Sequence, residues 1–118
     1  MLTLALVDDS GILRSALRNV LETSGYQVVF EADGSRQLFE RLAATPVEAV
    51  LLDVFFPGEN GLDILEELKK RYPAVKVLLV TGMQQNKVLE EAQKRGADGV
   101  LYKPFDTDDL LAAVARLK

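Results

Sequence analysis

Neither cysteine nor histidine occurs anywhere in the chain. Without thiols there are no disulfides and no thiolate metal sites. Without imidazole, zinc chemistry and histidine acid–base catalysis are excluded. Only carboxylate, hydroxyl and amine chemistry remains. Positive charge is also in deficit, with 14 Lys and Arg against 18 Asp and Glu for a net charge of -4. That balance argues against direct binding of nucleic acid and suits a site that holds a cation. The apolar stretch 1–7 lacks a basic leader and meets Asp8 too early for a signal peptide or a membrane span, so a cytoplasmic location with no membrane partner is expected.

What is present reads as one ordinary globular domain, residues 1–118. It is 48% hydrophobic and 27% charged, with four scattered prolines. Five short apolar runs, at 2–7, 27–32, 49–53, 76–81 and 99–102, alternate with five amphipathic stretches. This alternation predicts an α/β fold in which helices cover both faces of a doubly wound parallel sheet. The first helix carries Leu13, Leu17, Val20 and Leu21 and ends at Gly25; the second spans 35–44 before Pro46. Asn60 caps the third, with Asp63 in its first turn, and Tyr72-Pro73 stops it. The fourth, 86–95, has only Val88, Leu89 and Ala92 as an inward stripe and ends at Gly96. Thr107 is read as the cap of the fifth, whose Leu110, Leu111, Val114 and Leu117 form a strong apolar face.

In such a sheet the ligand site lies outside the carboxyl ends of the strands. Asp8 and Asp9 follow the first run, Asp53 ends the third, Thr81 ends the fourth, and Lys103 follows the fifth. Each has a plainer reading alone: helix capping for the aspartates, a strand-end hydroxyl, a solvated lysine. Coincidence at four strand ends outweighs these. Clustered carboxylates about 4 Å apart repel by roughly 4 kcal/mol per pair at an effective dielectric near 20, so they need a cation or a shared proton, and a divalent ion answers this. Oxygen-only ligands favour Mg²⁺. A carboxylate beside Mg²⁺ and an ammonium can attack a phosphoryl group, with Lys103 and Thr81 contacting its oxygens.

Along essentially its whole length the chain resembles the receiver domain of bacterial two-component response regulators, of the chemotaxis-regulator-like kind. The matching pieces are Leu6-Val7-Asp8-Asp9-Ser10, Leu51-Leu52-Asp53-Val54 through Phe56-Pro57 to Gly61-Leu62, Val80-Thr81-Gly82, and Gly96-Ala97-Asp98 through Lys103-Pro104-Phe105. The resemblance implies strand order 2-1-3-4-5, a cis peptide before Pro104, and Asp53 as phosphoacceptor. It implies Mg²⁺ held by Asp8, Asp9 and Asp53 with the Phe55 main-chain carbonyl, Thr81 as switch hydroxyl and Lys103 as the phosphate-contacting amine. Phe55 and Met83 would flank the path of the hydrolytic water and slow loss of the phosphoryl group. The implied partners are a sensor histidine kinase or phosphotransfer protein and a downstream output domain or protein. The chain is a phosphoacceptor by this reading, not an enzyme.

Two positions depart from the family pattern. The usual aromatic switch residue is replaced by Val100, and Tyr102 occupies a different slot. A ring flip therefore does not carry over. The Ala-Asp-Asp-Tyr run of one dimeric subfamily is Ala97-Asp98-Gly99-Val100 here, so any homodimer is expected to be weak. A haloacid-dehalogenase-type phosphatase would need Asp-x-Asp after the first strand, and a flavodoxin-like carrier would suffer repulsion between its FMN phosphate and Asp8-Asp9. The remaining alternative is a phosphorylation-independent interaction domain.

Overall fold

A computed structural model of the chain describes residues 2–82 and 86–118. The five runs are strands β1 (Thr3–Val7), β2 (Gln27–Ala32), β3 (Ala49–Asp53), β4 (Lys76–Thr81) and β5 (Gly99–Tyr102). Helices α1 (Gly11–Thr23), α2 (Ser35–Ala44), α3 (Gly61–Arg71), α4 (Asn86–Lys94) and α5 (Thr107–Ala115) alternate with them. All neighbouring strands pair in parallel in the order β2-β1-β3-β4-β5, as expected. A two-residue ribbon, Phe55–Phe56 against Glu59–Asn60, adds a small antiparallel piece after β3.

The side-chain period of two explains the layers. Along β3, Val50 and Leu52 join a core with Leu38 and Leu42 of α2, Ile64, Leu65 and Leu68 of α3, and Ala92 of α4. Ala49 and Leu51 face the other way, into a core with Leu17 and Leu21 of α1 and Leu110, Ala113 and Val114 of α5. All five β3 residues are buried, which is why this strand reads as an unbroken apolar run.

Helix ends follow local chemistry. Ser10 caps α1 by accepting from the Leu13 N–H at 3.2 Å. Gly25 (φ 94°) closes it, with Tyr26 N–H on Leu21 O at 3.0 Å and Gly25 N–H on Glu22 O at 3.2 Å. Asn60 caps α3 by accepting from Leu62 N–H at 2.8 Å. The cap of α5 is a correction. Asp106 accepts from Asp109 N–H at 2.8 Å and Asp109 accepts from Asp106 N–H at 3.4 Å, so Thr107 is the first helical residue instead. A capping box satisfies two end groups where a lone threonine satisfies one. The stripe on α4 is also thinner than expected: Ala92 is fully buried, whereas Val88 and Leu89 are only half covered.

Candidate functional site

The site forms where four strands end on one edge of the sheet. Asp53, the last residue of β3, is 7% exposed, and its Oδ1 accepts from the Val54 N–H at 2.7 Å. Asp8 follows β1 at 5% exposure; its own N–H continues the pairing to Ala32 O at 3.1 Å. Its Oδ1 accepts from Ser10 N–H at 2.8 Å, which turns the chain into α1. Asp9 is exposed beside it. One carboxylate oxygen from each of Asp8, Asp9 and Asp53 lies within 4.8 Å of the others.

Lys103 reaches this cluster from the end of β5. Its Nζ is 3.3 Å from Asp53 Oδ2 and 3.8 Å from Asp8 Oδ2. Its main-chain N–H donates to Thr81 O at 2.8 Å, so the amine and the buried Thr81 hydroxyl are delivered by adjoining backbone. The peptide between Lys103 and Pro104 is cis, as the resemblance implied. Asp9, Asp53, Phe55, Phe56, Pro57, Gly82 and Lys103 line an open cleft at this edge. Phe55 is 55% exposed there. Met83 lies outside the described residues.

The loop after Asp53 returns tightly on itself. Gly61 N–H donates to Val54 O at 2.6 Å, and a Cβ at Gly61 would sit 2.0 Å from Asp53 O. Only glycine fits against that carbonyl.

Electrostatics mark the cluster as short of positive charge. Burial, then the neighbouring charge of Asp53, pushes the Asp8 carboxyl up to about 6, against the opposing Ser10 N–H and Lys103. One ammonium faces three carboxylates. The donors are all oxygen, which fits a hard metal ion that would relieve this repulsion.

Two contacts were not anticipated from sequence. The Arg14 guanidinium on α1 donates to the Asp8 main-chain carbonyl and pairs with Glu31 of β2 at 3.0 Å. Glu31 also takes Arg18 at 2.9 Å, and although burial works against it, these two arginines hold its carboxyl below the usual range. The i, i+4 spacing of the arginines was the available signal; their partner on β2 was not local. The second is Glu59, whose Oε2 accepts from Ser35 N–H at 3.0 Å.

The two output candidates sit on β5. Tyr102 is in register with Thr81, and Val100 is one step of the same face lower, beside Leu79 and packed on the α2–α3–α4 core. Asp98 accepts from Lys69 Nζ and Val77 N–H within its own fold, at 3.1 and 2.8 Å.

Comparison with known proteins agrees with this arrangement. The family described as response regulator receiver domain matches residues 4–115. The chemotaxis protein CheY of Listeria monocytogenes is 30% identical over 116 residues, covering 98% of each chain. Among solved structures, a LuxR-family two-component response regulator from Aurantimonas sp. SI85-9A1 superposes with a TM-score of 0.92 at 28% identity, covering 99% of this chain and 85% of that one. Vibrio cholerae CheY4 superposes at 0.91 with 24% identity, over 100% of this chain and 99% of that one, a likeness of fold.

Proposed function

Since the chain belongs to the response regulator receiver domains of two-component systems, we propose that it is a phosphorylation-dependent signalling receiver whose phosphoacceptor is Asp53. The observation that carries the reading is the convergence of Asp8, Asp9 and Asp53 within 4.8 Å, with Lys103 3.3 Å from Asp53. An Asp53 carboxylate oxygen attacks phosphorus on a phosphohistidine of a sensor kinase or phosphotransfer protein. The P–O bond forms as the P–N bond breaks, and the departing imidazole nitrogen takes a proton from solvent.

Asp8 and Asp9, with Asp53 and the Phe55 main-chain carbonyl, are the residues that would hold Mg²⁺. Bound there, the ion supplies neutralisation of the phosphoryl oxygens. Lys103 exchanges its contact with Asp53 Oδ2 for a phosphoryl oxygen, and the Thr81 hydroxyl donates to another. The Val54 N–H stays on the acceptor carboxyl and orients it. The exposed Phe55 ring shields the bond from water. Val100 is stiff and small, so the response leaves through backbone movement of the 82–87 segment, of which 83–85 lie outside the described residues, and through α4, whose one buried residue is Ala92.

Intact-mass measurement with Mg²⁺ and acetyl phosphate tests the reading. One phosphoryl group is expected on the wild-type protein and none on Asp53→Asn. Equal labelling of both would remove Asp53 from its role, and labelling of neither would favour an interaction domain that works without phosphorylation.

A further inference from the structure

The loop between β3 and α3 closes on itself through the Gly61 N–H and the short ribbon, with Phe55 opposite Asn60 and Phe56 opposite Glu59. One side chain of this loop reaches across to a separate element. Glu59 Oε2 accepts from the N–H of Ser35, the first residue of α2, at 3.0 Å. Gly34 occupies the capping position of that helix and offers no side-chain acceptor, and α2 has no acidic residue in its own first turn. The negative charge and the acceptor that a helix start favours are thus supplied from the phosphoacceptor loop. Space for them comes from Gly34 itself. A Cβ there would lie 2.7 Å from Glu59 Oε2, while the backbone is extended (φ 175°) and open to any residue.

We infer that Glu59 is a positioning residue for the metal and phosphoryl site, acting by tethering the 54–60 loop to α2. The inference rests on the Mg²⁺ reading above. Phe55, whose carbonyl that reading assigns to the metal, lies on the ribbon strand that pairs directly with the one carrying Glu59. Releasing the carboxylate frees the far strand of the ribbon, and the near strand loses its fixed partner. Supporting contacts of this kind hold ligand atoms in place, and their loss typically weakens metal affinity by about tenfold or more.

A plain helix cap would make the same hydrogen bond, so the test must separate the two roles. Gly34→Ser does so. The serine hydroxyl gives α2 an acceptor of its own, and its Cβ displaces the Glu59 carboxylate. Mg²⁺ binding followed by calorimetry, alongside thermal unfolding, is expected to show about tenfold weaker binding in both Glu59→Ala and Gly34→Ser. Thermal stability falls in Glu59→Ala alone, and Glu59→Gln, which keeps the acceptor, retains most of the affinity. Wild-type affinity in Gly34→Ser would reduce Glu59 to a cap and overturn the inference while leaving the receiver reading intact. Absence of Mg²⁺ binding in the wild type would remove the metal reading and this inference with it.

Discussion

The two edges of the sheet treat aspartate in opposite ways. At the carboxyl edge three carboxylates share one ammonium, and burial raises Asp8 to about 6. At the amino edge the Asp98 carboxylate is matched by Lys69 at 3.1 Å, Lys76 at 3.8 Å and the Val77 N–H at 2.8 Å. Lys69 is further occupied by Val75 O at 2.9 Å. One aspartate is therefore satisfied by the fold, and the others share a single amine. Saturation marks structure; deficit marks a site where stability is given up for chemistry.

Removing each kind of aspartate tests that contrast most severely. The Asp98 side chain is 24% exposed and anchors α3, β4 and the approach to β5, so Asp98→Ala is expected to lower stability by about 2 to 3 kcal/mol in denaturant unfolding. Phosphoryl acceptance in the folded fraction should survive. Asp8→Asn is expected to act in the opposite direction, raising metal-free stability by about 1 to 2 kcal/mol while Mg²⁺ binding is lost. If both substitutions destabilise equally, the contrast between the edges is wrong.

Titration sharpens the same point on a smaller scale. Asp8 has its folded value raised from 3.8 to about 6, so the folded protein gains the proton first. Stability from this group therefore rises as pH falls from above 6 toward 4, the reverse of an ordinary paired carboxylate. Glu31, held low by its arginines, gives stability that is lost only as pH falls below the usual carboxylate range. Because a proton on Asp8 competes with a metal, Mg²⁺ affinity should drop about fourfold between pH 7.5 and 5.5. Calorimetry at the two values, on wild type and Glu31→Gln, would show whether the drop belongs to the acid cluster. The smallest expected effect concerns the apolar wall of the cleft: Phe55→Asn should shorten the lifetime of the phosphorylated form about twofold, followed by mass after donor removal.

Most of this arrangement was readable from the chain. Five runs with turn formers after them fixed the strands because burial on both faces leaves an unbroken apolar signal, and the site followed from what stood at their ends. The cap of α5 differs from the expectation although its signal is local: Asp106 and Asp109 stand at the spacing of a capping box, one residue ahead of the capping-type hydroxyl of Thr107. Arg14 with Glu31, Glu59 with Ser35, and Lys69 with Asp98 were not legible, because each joins segments far apart in sequence through a side chain that looks like ordinary surface charge.

The tight return at Gly61 has a consequence for how this sequence can change. With backbone of Asp53 and Val54 within 3 Å of any added carbon, the position tolerates no substitution without reshaping the strand end that carries the acceptor. Glycine at 61 also fixes where the loop rejoins the helix. Replacements can accumulate at exposed Pro57, whereas Gly58 (φ 79°) holds a left-handed turn that favours glycine, and the closure at Gly61 is a contact between main chains. A saturation library selected for folding should therefore return glycine alone at position 61, eight residues after the aspartate.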